Sequence, residues 1–136
     1  METNIFKNFN FNEEKIKSAH DYLNELESGF IAKTKGELKL EIEAYAILKT
    51  SFQNGAGYSM FIIAPKIGNY RKRILDIEES YETHRYPVIV TNCLSEEKFE
   101  NVSEVQLMSV IEKIILHPLV KNSIESLYKT SKEHNK

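Results

Sequence analysis

The chain has no tryptophan, one cysteine, three prolines and five glycines among its 136 residues. With Cys93 alone, an intrachain disulfide is excluded, so the fold must be held by its core, and a reducing compartment is the expected setting. So little proline and glycine excludes collagen-like and low-complexity architectures. Neither charge sign dominates: 18 basic residues face 20 acidic ones, so no global field draws the chain to polyanions, and nucleic-acid binding would need a local patch. Long apolar runs are absent too. The densest, MFIIAP and VIEKIILHPLV, are short or charged, against the roughly 20 residues that cross a bilayer. METNIFKNFNFNEEK lacks a charged segment followed by an apolar one, so no signal peptide is expected. What is present, 41% hydrophobic and 28% charged residues, suits a packed core and not a disordered chain. The expectation is one soluble cytoplasmic domain, residues 1–136, with a polar tail from about residue 129 and no membrane association.

Apolar spacing divides the chain into elements. Asn10 and Glu13 have capping-box spacing, and Ile16, Ala19, Leu23, Leu26 and Phe30 follow at intervals of three and four. This predicts a helix from about Asn12 to Ser28, capped by Gly29. In GELKLEIEAYA the period becomes two: Leu38, Leu40, Ile42, Ala44 and Ala46 alternate with Glu37, Lys39, Glu41, Glu43 and Tyr45. Gln53 to Tyr58 reads as a turn, SMFIIAP as a second strand, Gly68-Asn69 as a break, YRKRILDIEES as a third strand and RYPVIVTN as a fourth. Pro87 places that fourth strand at an edge or opens it. SEEKFENV is read as a short helical turn. Ser103 and Gln106 form a second capping box ahead of a stripe of Val105, Met108, Ile111 and Ile115. Pro118 then starts a last helix bearing Val120, Ile124, Leu127 and Tyr128. The predicted fold is α+β: an N-terminal helix, a four-stranded antiparallel meander, and C-terminal helices packed on the sheet.

The second strand is apolar on both sides. If the hairpin turns at Gly68-Asn69, Leu75 and Ile77 join Phe61 and Ile63 on a second face. That face is either covered by one of the helices or exposed as a dimer or partner surface. Lys66, Arg71, Lys72 and Arg73, with Asn69 and Tyr70, form the densest positive cluster, around one predicted hairpin end, and could grip phosphates and stack a base. Yet Lys72 points away from the two arginines, and Glu41 and Glu43 should lie on the same sheet and can pair with the arginines across strands. Solvated hairpin charges are the plainer explanation.

Catalytic signals are sparse. GAGYSM lacks the third glycine of a dinucleotide fingerprint and the last glycine of a nucleophile elbow. No histidine pairs with another or with Cys93 at metal-ligand spacing, and His84, beside both acids and bases, is better explained as a turn residue. Glu37-Leu38-Lys39 matches half of a Mg²⁺-dependent nuclease site, but Glu/Lys alternation on a solvated strand explains it without chemistry. Asp76 and Glu78 share a strand face on the same alternation. The run IAPKIGNYRKRILDIEES followed by YPVIV resembles short uncharacterised bacterial proteins in which an N-Y-R strand precedes a Y-P-V strand and C-terminal helices. That resemblance, over Tyr58 to Tyr128, implies the α+β topology and a bacterial source and supplies no active site. The expected function is non-catalytic binding to a protein partner or to a second copy, without metal or cofactor, through Phe61, Ile63, Leu75, Ile77, Tyr70, Arg71 and Arg73. The alternative is a nucleic-acid-associated protein, with or without metal-dependent nuclease activity.

Overall fold

The computed structural model describes residues 17–48, 54–80 and 85–134, together with Lys7. They form α1 (Ala19–Lys33), β1 (Lys39–Leu48), β2 (Asn54–Ala64), β3 (Tyr70–Ser80), β4 (Val88–Asn92), β5 (Lys98–Val102), α2 (Glu104–Ile115) and α3 (Pro118–Glu133). The strands make one antiparallel meander in the order β1-β2-β3-β4-β5. The α+β class stands, with five strands instead of four.

α1 begins later than its apolar spacing suggests. Ser18 has extended backbone (φ −76°, ψ 159°), its hydroxyl accepts from the Asp21 N–H at 3.1 Å, and the Asp21 carboxylate accepts from the Ser18 N–H. This capping box starts the helix, so a helix from Asn12 cannot run through it; the Asn10–Glu13 pair and Ile16 lie outside the described residues. The helix also passes Gly29, because Phe30 still packs on the core. Thr34 ends it. The Thr34 hydroxyl is bonded to the carbonyls of Phe30 (3.0 Å) and Leu38 (3.1 Å), tying the helix end to the start of β1. Lys35 and Gly36 then turn the chain with φ of 54° and 78°.

On the inner face Leu40 sits opposite Ile62, and Ile42 opposite Met60, as the alternation requires. Gly55 and Gly57 belong to β2 and not to a turn; the connection before β2 lies outside the described residues. The Tyr45 ring explains Gly57, since a Cβ there would stand 2.2 Å from a ring carbon. The β2–β3 hairpin turns at Gly68 and Asn69, both with positive φ, where the sequence breaks. β3 then departs from plain alternation. Phe61 pairs with Arg73 while Met60 pairs with Leu75, so Ile74 is an extra residue in a β-bulge. Ile74 and Leu75 consequently both face inward, and from there Leu75 and Ile77 are core residues with 0% exposure. The expectation that these two share a face with Phe61 and Ile63 is overturned by that single residue.

Pro87 directly precedes β4, an interior strand, so it opens the strand instead of marking an edge. SEEKFENV is not helical: its second half is β5, with Val102 opposite Val88 and Phe99 opposite Val90. A register shift there, with Asn101 at φ 54°, carries Phe99 and Val102 to one side although they are three residues apart.

All three helices lie on the inner face, where their apolar residues complete one core with the sheet. α2 is capped as expected by Ser103 and Gln106, but it buries Leu107, Val110, Ile111 and Ile114, while Val105 is 92% exposed. In α3, His117 is the N-cap, its Nδ1 accepting from the Leu119 N–H at 3.1 Å ahead of Pro118. Val120 of α3 is buried, and Ile124, Leu127 and Tyr128 pack at the margin of the core. Among the described residues no helix is long and apolar enough to cross a membrane.

Candidate functional site

No described helix covers the outer face of the sheet, which carries two linked neighbourhoods. The first centres on Phe61 and Ile63, both half-buried. Phe61 is opposite Glu41 on one side and Arg73 on the other, and Ile63 is opposite Lys39 and Arg71. The Arg71 guanidinium lies 3.9 Å from the centre of the Phe61 ring and reaches across β2 to Glu43 (2.8 Å) and Glu41 (2.5 Å) on β1. Glu43 first and then Glu41 hold its pKa above the usual arginine value. The charged arm thus lies over the face of an aromatic ring while its fork holds two carboxylates, an arrangement that suits arginine better than lysine. Tyr70 pairs with Ala64 on the opposite alternation and is exposed at the strand start, so it does not join Arg71 and Arg73 in one patch.

The second neighbourhood is polar and centres on Asp76. Arg73 Nε donates to Asp76 Oδ1 at 2.8 Å and Nη2 donates to Oδ2; the buried Ser59 hydroxyl also donates to Oδ1, at 2.7 Å. Residues three apart in a regular strand face opposite ways; the bulge at Ile74 brings Arg73 and Asp76 together. The expectation that Arg71 and Arg73 both pair with Glu41 and Glu43 therefore holds for Arg71, while Arg73 takes Asp76. Asp76 and Glu78 share the outer face, opposite Ser59 and Gly57, as read from the sequence.

Tyr45, above Gly57, has its pKa raised by burial and then by Asp76 and Glu78. Burial, reinforced by Asp76, pushes the Cys93 thiol up to about 11, so it stays protonated and weakly nucleophilic at neutral pH. The unfolded thiol loses its proton at roughly pH 8.5, the folded one near 11, so unfolding releases a proton between these values. Cys93 should contribute its full stabilisation below pH 8 and lose it as pH rises toward 11. Denaturant melts between pH 7 and 10.5 should show a shallower alkaline loss for Cys93→Ala than for the wild type. Equal slopes would remove Cys93 from the alkaline response.

The E-x-K triplet is divided by the fold. Glu37 is buried, its Oε1 taking the Lys66 ammonium at 2.9 Å and its Oε2 the Ser131 hydroxyl at 2.6 Å, while Lys39 is exposed on β1. Among the described residues no three His, Cys, Asp or Glu side chains gather as metal ligands. His20 stacks on Tyr58 with ring centres 5.2 Å apart, and His84 lies outside the described residues. The sequence reading missed the Tyr45–Ser59–Cys93 surroundings of Asp76. The available signal was an aromatic directly across from a strand glycine, which becomes visible only once the register is known. Comparison with known proteins finds no match among family models, curated proteins or solved structures.

Proposed function

We propose that the chain is a non-catalytic binding protein that engages a protein partner, a second copy of itself in the first instance, through the outer face of its sheet. The observation that carries this reading is the pair Phe61 and Ile63, half-buried on a face to which no described helix packs. An aromatic anchor beside an aliphatic one, rimmed by arginines and carboxylates, has the composition of an interface centre and its rim. Charges of both signs on that face, Lys39, Arg71 and Arg73 with Glu41, Glu43 and Glu78, also allow it to meet its own copy without net repulsion. Leu75 and Ile77, being core, have no part in it.

The nucleic-acid alternative requires cations offered to phosphate, whereas Arg71 and Arg73 each hold carboxylates of the chain itself. Light scattering after size exclusion tests the proposal. Phe61→Asp should keep a cooperative melt and lower the mass to that of a monomer, while Arg71→Ala with Arg73→Ala should change stability little and leave the mass nearly unchanged. Unfolding of Phe61→Asp would make the face core. Tight, salt-steep oligonucleotide binding that disappears in the double arginine variant would instead favour the nucleic-acid reading.

A further inference from the structure

We propose that the cleft between α1, α3 and the inner face of β1 and β2 binds a small apolar molecule whose head group is neutral or cationic. The cleft has a volume of about 310 Å³. Leu40, Met60 and Ile62 form its floor, and Leu26, Phe30 and Ile124 its walls. The cleft opens to solvent at its mouth, and an enclosed apolar cavity of roughly 150 Å³ already accepts benzene. The space here suits a two-ring aromatic or a medium-length alkyl chain. A second hollow of about 300 Å³, between β5 and α2, differs in kind: Glu100, Gln106, Ser109 and Lys113 line it beside Phe99 and make it a polar groove.

Gly29, on the rim, gives a separate indication. It lies inside α1, where glycine is less favourable than alanine, yet its φ is not positive and a Cβ would meet no atom within 4 Å. Neither backbone conformation nor packing calls for glycine. A longer side chain at this position would instead extend over the mouth of the cleft. The head group follows from charge. Among the described residues the one ionisable side chain lining the cleft is Glu25, exposed at the rim and engaged by Lys17. With that cation committed and no polar group on the floor, a carboxylate or phosphate at the mouth would meet the like charge of Glu25, whereas an alcohol or amine can remain beside it.

The test is fluorescence titration of the full chain with N-phenyl-1-naphthylamine, followed by displacement with octanol, octylamine and octanoate. One saturable site is expected, from which octanol and octylamine displace the probe at least tenfold better than octanoate. Gly29→Leu should weaken probe binding tenfold or more at an unchanged or higher melting temperature, while Gly29→Ala, too short to close the mouth, should retain it. Phe61→Asp, on the other face, should also bind normally, which separates this site from the proposed interface. Absence of saturable binding, or binding that Gly29→Leu leaves intact, would overturn the site; equal displacement by octanoate would overturn the head-group assignment.

Discussion

Ile77→Ala should lower the free energy of unfolding by roughly 2–5 kcal/mol, the usual cost of truncating a large core side chain that its neighbours cannot replace. Ile77 is fully buried between Tyr58 of β2 and Val90 of β4, so the vacated space is enclosed on both sides of the sheet plane's inner surface. Phe61→Ala removes a larger side chain and should cost less, because Phe61 is half-buried on the open face. Urea melts of the two variants, compared at equal m-values, decide the matter. Charged replacements sharpen the contrast: Ile77→Asp should not fold, whereas Phe61→Asp should. A larger loss from Phe61→Ala than from Ile77→Ala would restore the unbroken alternation and place Leu75 and Ile77 outside the core.

The second large effect is expected at Glu37. Its carboxylate is shared between Lys66 and the fully buried Ser131, which fastens the last turns of α3 to the chain entering β1. Glu37→Ala leaves the Ser131 hydroxyl without its short charged partner, a loss of about 1–3 kcal/mol. Lys39→Ala, two residues on and exposed, should remain within about 0.5 kcal/mol. A double cycle of Glu37→Ala with Ser131→Ala should show coupling, since the two side chains act on one hydrogen bond. If Glu37→Ala instead left stability intact and abolished a metal-dependent nuclease activity, the triplet would be a catalytic site and the binding reading would fail.

Much of this architecture was legible where chemistry is local. Period-two spacing from Leu38 onward, the break at Gly68-Asn69, the Ser103–Gln106 box and the His117-Pro118 junction each depend on a few neighbouring residues, and each stands where expected. The helix start was misread locally: Ser18 and Asp21 have the same spacing as Asn10 and Glu13, and spacing alone ranks neither pair. The other misreadings came from long-range geometry. α2 has a broad apolar arc in which Val105 and Met108 flank the core residues, so two stripes are available, and only the sheet selects Leu107, Val110, Ile111 and Ile114 over Val105 and Met108. Phe99 and Val102 mimicked helical spacing because the β4–β5 register shift stands between them. At the candidate site, the reach of Arg71 to Glu41 and Glu43 was visible as charge across strands, whereas the Arg73–Asp76 pair was not, since it exists only through the extra residue in β3.

That extra residue makes β3 a strand of adjustable length at one point. Arg73 outward, Leu75 inward and Asp76 outward already form a regular sequence, so excising Ile74 would leave every remaining side chain of β3 on its present side. Excising Lys72 instead would turn Arg71 inward and Tyr70 outward, transposing everything toward the hairpin. A deletion at Ile74 therefore tests the bulge without scrambling the two faces: it sacrifices one buried isoleucine and some local twist, and preserves the partition between core and surface.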